Sequence, residues 1–247
     1  MTLLAIALAA HAGGFAPAEV EGADERQTGG TRVSGLAGTW ELELVIASLT
    51  HVPVLGELRT RSRSVLRVEV TDTPTGPVAR QQVCTSEVLD RAGLARTILP
   101  PAFVRSIPDR TYALVLGADG GVRADLGVEA TGWTGEGALP TDAADPRVRD
   151  VDGDGRPGAT VLVEVAPFGT GHVQFVHRGH SLLEGHRSGP DTVEGGVVVT
   201  LLEQQTIGAT PRILGGTLRS VPDPAHSSFV MRRTTPATAC APAAAGR

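Results

Sequence analysis

From residue 36 onward, apolar side chains recur at every second position. That is the period of a strand with one buried face, not the 3.6 of an amphipathic helix. Trp40, Leu42, Leu44 and Ile46 share one face, with Glu41 and Glu43 opposite. Leu66, Val68 and Val70 repeat the arrangement with Arg67 and Glu69 outward. TDTPTGP (71–77) then turns the chain, and 78–89 returns as a further strand. Tyr112, Leu114 and Leu116 alternate up to Gly117. Asp119-Gly120 makes a sharp turn, because glycine tolerates positive φ without a Cβ clash. Val122, Ala124, Leu126 and Val128 come back with Arg123 and Asp125 outward. Val161, Val163 and Val165 lead through PFGTG (167–171) to Val173 and Phe175. Segments 180–186 and 192–204 flank HRSGPD, and a last short strand covers 227–232. PPAFVRSIP (100–108) breaks the period. Proline at a first turn and again at the exit predicts one or two helical turns over an open end of the sheet.

Consecutive strands joined by local turns pair antiparallel. The expected fold is therefore all-β: a single antiparallel up-and-down barrel or a two-sheet sandwich of about 8–10 strands with one short helix. The Gly, Ala, Pro and Asp-rich stretch 130–147 sits between strands and reads as a long loop within one domain. The expected organisation is a β-domain over 36–235, with a loop insertion near 130–158 and a C-terminal tail over 236–247.

The 247 residues include 22 basic and 27 acidic side chains, a formal charge of −5. That balance argues against a nucleic-acid footprint. Lys and Asn are both absent, so every basic residue is Arg. A GC-rich, bacterial coding sequence accounts for this, and Arg is then not a sign of phosphate binding. Arg59, Arg61, Arg63 and Arg67 read as the solvent face of one strand.

The opening MTLLAIALAAHA (1–12) is far shorter than the roughly 20 apolar residues of a membrane span. It ends in Ala10-His11-Ala12, a small-x-small pattern like a signal-peptide cleavage site, although a basic n-region is missing. Residues 13–35 read as a flexible linker. The expected location is secreted or periplasmic, where Cys84 and Cys240 are free to form a disulfide.

One segment carries a specific chemical pattern: DPRVRDVDGDGRPGATV (145–161). Asp150, Asp152 and Asp154 stand at alternate positions with Gly153 and Gly155 between and after them. Three carboxylates this close repel one another unless a cation lies among them. A hard ion such as Ca²⁺ takes about six to eight oxygens, from carboxylates, carbonyls and water. The segment resembles the DxDGDG calcium loops of EF-hand-like, dockerin-type, thrombospondin type 3 and FG-GAP proteins. The resemblance puts Asp150, Asp152 and Asp154 at the first, third and fifth positions, Gly155 at the sixth and the Arg156 carbonyl at the seventh. The ninth position is Gly158 and the twelfth Val161, so the usual later carboxylates are missing. Asp142 and Asp145 upstream are the expected substitutes. Gly153, Gly155 and Gly158 also match G-x-G-x-x-G, but the match precedes a strand and carries three Asp, which excludes a pyrophosphate site.

Gly38-Thr39-Trp40 is similar to the G-x-W that opens the first strand of lipocalin-type barrels, where the Trp closes one end. This implies a hollow barrel carrying a small apolar ligand, with Leu42, Leu44, Leu114 and Val163 lining it. No catalytic motif is present, so a non-enzymatic role is expected. His172, His177, His180 and His186 cluster in sequence, but His172 and His177 have opposite strand parity. A hydrolase would require His177 and His180 to converge with a carboxylate. The leading expectation is an exported, Ca²⁺-stabilised binding or structural module. Its partner is a small apolar ligand or a cell-envelope component, with neither nucleic acid nor a membrane span.

Overall fold

The computed structural model describes residues 34–52, 56–89, 95–167, 169–215, 219–236 and 240. Segment 1–12 and most of the expected linker and tail lie outside them. The strands are β1 (Gly38–Val52), β2 (Gly56–Thr73), β3 (Gly76–Val88), β4 (Ala95–Ile98), β5 (Arg110–Leu116), β6 (Gly121–Thr131), β7 (Ala159–Val165), β8 (Gly169–Gly189), β9 (Thr192–Thr210), β10 (Arg219–Pro222) and β11 (Ser228–Arg233). One short helix, α1, spans Pro101–Ser106. It starts and stops at the prolines that predict it, with Pro100 at its N-cap and Pro108 shortly after its end.

The described strands form one antiparallel sheet. Strands β1, β2, β3, β5, β6, β8, β9 and β11 neighbour one another in chain order, and β11 returns to β1. The result is a nearly closed up-and-down ring. Strands β4 and β7 form a flap on it: β7 pairs the first part of β8, while β6 pairs the remainder. Strand β10 pairs the far end of β1. The ring is thinnest around β5, which pairs β3 only over Val78–Gln81 and β6 only over Leu114–Leu116, and among the described residues β3 beyond Gln81 has no ladder on that side. Helix α1 packs against β3 and β7 there.

The alternation places side chains as expected over most strands. Trp40, Leu42, Leu66, Val68, Val70, Tyr112, Leu114, Val122 and Ala124 join one core cluster. Trp40 is fully buried, its Nε1–H donates to the Leu36 carbonyl at 2.7 Å, and the Arg233 guanidinium stacks over its ring at 4.4 Å. Arg233 also donates to the carbonyls of Gly35 and Ala37, so the incoming chain is tied across this end of the barrel. A second cluster joins Ala159, Val161, Val163, Val173 and Phe175 to Phe103 of α1.

Two β-bulges correct the simple period-two reading. In β6 the register shifts between Asp125 and Val128, with Gly127 at φ 72°. Val128, expected inside with Leu126, is 64% exposed. The extra residue reverses parity, and Glu129 and Thr131 point inward instead. In β3, Val65 faces Thr85 while Leu66 faces Val83, which leaves Cys84 as the inserted residue. Inward positions therefore change from Gln81 and Val83 to Ser86 and Val88. Strand β8 also runs unbroken over 21 residues, where the sequence reads as two shorter pieces. Strands β4 and β10 carry only four residues each, too few to show a period.

Cys84 and Cys240 are joined by a disulfide with Cα atoms 5.0 Å apart. It ties the C-terminal segment to the bulge of β3, next to the gap in the ring. Such a pairing is compatible with an oxidising compartment. Among the described residues, no helix is long and apolar enough to cross a membrane. On the outer face Arg59 pairs with Asp223, Arg63 with Glu43 and Glu87, and Arg67 with Glu69. Arg63 thus pairs across strands, Arg67 along β2 itself and Arg59 with the turn after β10, so these arginines form ion pairs rather than an open cationic patch.

Candidate functional site: a polar row inside a hollow barrel

Beyond the layer filled by Trp40 and Leu42, the inward side chains become smaller and more polar. Thr60, Ser62 and Ser64 of β2, with Ser86 of β3, occupy positions that Leu and Val hold at the other end. The interior is left with a cavity of about 170 Å³. Its apolar wall includes Leu44, Ile46, Val83, Leu126, Phe175 and Val199, and Phe103 and Ile107 of the α1 segment complete it. Of the expected lining, Leu44 is confirmed. Leu42 and Leu114 are packed into the filled end and Val163 into the second core cluster, because they lie away from the hollow layer.

Four polar side chains cross this wall on neighbouring strands. Gln81 of β3 is in register with Arg110 of β5. The Arg110 guanidinium pairs with the Glu129 carboxylate of β6. A second Glu129 oxygen lies 3.8 Å from His177 Nδ1 of β8. His177 is 3% exposed and Gln81 4%. Gly179 leaves room for the imidazole: a Cβ there would come within 2.9 Å of the His177 ring. Burial, and then the nearby Arg110 charge, push the His177 pKa down to about 3. The imidazole is therefore neutral at physiological pH.

This row is only partly satisfied within the protein. Gln81 Oε1, Arg110 Nε and His177 Nε2 are buried without a hydrogen-bond partner. Leaving a buried polar atom unpaired costs about 1–3 kcal/mol, so three on one wall is a substantial departure from ordinary packing. Ser64 and Ser86, by contrast, bond each other at 2.9 Å.

The four residues differ in how legible they are. Arg110 shares parity with Tyr112 and Leu114, and His177 with Val173 and Phe175, so their inward direction is readable from spacing. Gln81 shares parity with Ala79 and Val83. Glu129 is hidden by the Gly127 bulge, because unbroken alternation places it outside. His180, three residues beyond His177, faces outward, where Asp125 and Thr200 contact its ring at 2.6 and 2.8 Å. That hydrogen bond holds the Asp125 carboxyl below its usual range. The convergence of His177 and His180 that a hydrolase would require is thus not made: an odd spacing on a strand puts them on opposite faces.

The acidic loop lies on the outer wall. Ligand-type oxygens of Asp150, Asp152 and Asp154 lie within 4.8 Å of one another. Asp150 accepts backbone N–H bonds from Gly153 and Gly155 at 2.8 and 2.9 Å. Asp152 Oδ2 accepts the Thr160 N–H at 2.9 Å, while its Oδ1 is buried and unpaired. Burial raises the Asp152 carboxyl above its usual range. Asp154 accepts from both the backbone and the guanidinium of Arg156. Asp142 and Asp145 do not join the group. Asp142 accepts the Ala144 N–H, and Asp145 is held by Arg147 at 2.8 Å. Gly158, at the loop's ninth position, has φ 85°, and a Cβ there would meet the Phe175 carbonyl at 2.7 Å. A carboxylate is excluded at that position because the loop docks directly on β8. Trp133 anchors the same loop, its Nε1–H donating to the His177 carbonyl at 3.0 Å.

No family model, curated protein or solved structure matches the chain.

Proposed function

We propose that the protein is a binding module whose ligand is a small, largely apolar molecule held inside the barrel. The supporting observation is the cavity of about 170 Å³ within a ring that is otherwise tightly packed. An apolar wall supplies affinity through water-excluded area, and a few polar groups orient the ligand. Residues that would fill the space, such as the Leu and Val of the closed end, are replaced by Ser and Thr. This agrees with the lipocalin-like character that Gly38-Thr39-Trp40 implies, with Trp40 at the closed end. A secreted or periplasmic location suits such a carrier and the Cys84–Cys240 bond.

The test is titration with N-phenyl-1-naphthylamine, an uncharged dye that brightens in apolar surroundings. The wild-type protein should enhance its fluorescence saturably, and Ser64→Phe, which fills the cavity from β2, should abolish the effect. A wild-type protein that leaves the dye dark rules out the reading.

A second reading concerns the outer loop. Asp152 Oδ1, buried and unpaired beside two further carboxylates, favours Ca²⁺ among Asp150, Asp152 and Asp154. The ion would pin the 142–158 loop to β7 and β8. Binding to the folded state alone stabilises by roughly 2.7 kcal/mol when Ca²⁺ is 100 times its dissociation constant. Thermal melting with Ca²⁺ and with chelator should differ for the wild type and coincide for Asp152→Ala. Equal melting of the wild type in both conditions removes the ion.

A further inference from the structure

We infer that the cavity selects an uncharged ligand that carries a hydroxyl or amide group, and rejects both carboxylates and amines with the same apolar body. The inference rests on the binding-module reading and adds the chemistry of the ligand's polar end. Three unpaired atoms specify it. Arg110 Nε is a donor in need of an acceptor, and Gln81 Oε1 is an acceptor in need of a donor. His177 Nε2 is the third, and a neutral imidazole accepts or donates there according to its tautomer, a requirement that a group with both functions meets either way. A hydroxyl or a primary amide offers donor and acceptor together.

Charge makes the same choice. Arg110 and Glu129 neutralise each other, and His177 and Gln81 are uncharged. A carboxylate placed here loses its water next to Glu129, and an ammonium does so next to Arg110. Each adds an unbalanced charge to a partly dry wall. The remaining polar side chains of the lining are Ser and Thr hydroxyls, which carry no charge to compensate.

The experiment is calorimetric titration of the full chain with four eight-carbon probes near pH 7: 1-octanol, octanamide, octanoate and octylamine. The apolar part is constant, so differences report the polar end. Octanol and octanamide should bind at least about tenfold more tightly than octanoate or octylamine, the equivalent of roughly one unmade hydrogen bond or uncompensated charge. In Gln81→Leu the octanamide advantage should shrink while 1-octanol still binds, which also shows that the variant is folded. Octanoate or octylamine binding as tightly as the neutral probes overturns the polar-end assignment and leaves the cavity reading standing. Failure of all four probes overturns both.

Discussion

At the closed end of the barrel Trp40, Leu42, Leu66, Val68, Tyr112 and Leu114 interdigitate, and Trp40, Leu42 and Val68 are fully buried. A few residues along the same strands, the inward positions carry Ser62, Ser64, Gln81, Arg110, Glu129 and His177 around open space. The same strands run through both ends, but the hollow end also carries the bulges of β3 and β6 and the stretch of β3 beyond its pairing with β5, so side chains and backbone both contribute to the contrast. One end is built for stability, because large apolar groups fill their layer to interior density. The other is built with small hydroxyls and unpaired polar atoms, which contribute little to folding. A fold gains room for a ligand by giving up packing there, and the closed end offsets the loss.

Substitution should separate the two ends by magnitude. The largest effect is expected for Trp40→Ala, which opens a void in the filled layer and removes the seat of Arg233. It should lower unfolding free energy by about 3–5 kcal/mol in a denaturant titration. At the hollow end, Arg110→Leu should cost about 2–4 kcal/mol by stranding Glu129, whereas Arg110→Leu combined with Glu129→Leu should recover most of it. A double variant no better than the single one shows that the pair contributes more than mutual neutralisation.

The next effect depends on pH. His177 takes up its proton at about 3 in the folded chain, against 6.5 in an unfolded one. The unfolded state therefore binds the proton first as pH falls. Stability is lost progressively between these two values, by up to about 1.4 kcal/mol per pH unit. His177→Gln should flatten this slope when chemical denaturation is repeated across the acid range, and an unchanged slope locates the responsible proton elsewhere. The smallest effect belongs to Ser64→Val, which adds apolar contact where space exists. Its unfolding free energy should stay within about 1 kcal/mol of the wild type, in contrast to changes at Trp40. A loss comparable to Trp40→Ala would mean that the hollow layer is as tightly packed as the closed one.

Much of this architecture is visible in residue order. Alternation identifies the inward face of β1, β2 and β5, and Pro100 and Pro108 bracket the helix. The Asp119-Gly120 turn ends one hairpin strand and begins the next. The carboxylates of Asp150, Asp152 and Asp154 approach one another because their spacing within a glycine-containing turn is local. Asp142 and Asp145 do not follow, because each is engaged locally, Asp142 by the Ala144 N–H and Asp145 by Arg147. Leu42 and Leu114 share the inward face with Leu44, but periodicity says nothing about which layer is hollow.

Local spacing by itself fixed the all-β character, the strand faces and the acidic turn, since each depends on neighbours a few residues apart. Closure of the ring through β8 and β9, the meeting of Cys84 with Cys240 and the row from Gln81 to His177 required the folded chain. These features join segments far apart in sequence, and single-residue bulges, among them those of β3 and β6, decide which side chains face inward. A parity change at Gly127 moves Glu129 from solvent to the interior, and only the pairing of β6 with β8 reveals it.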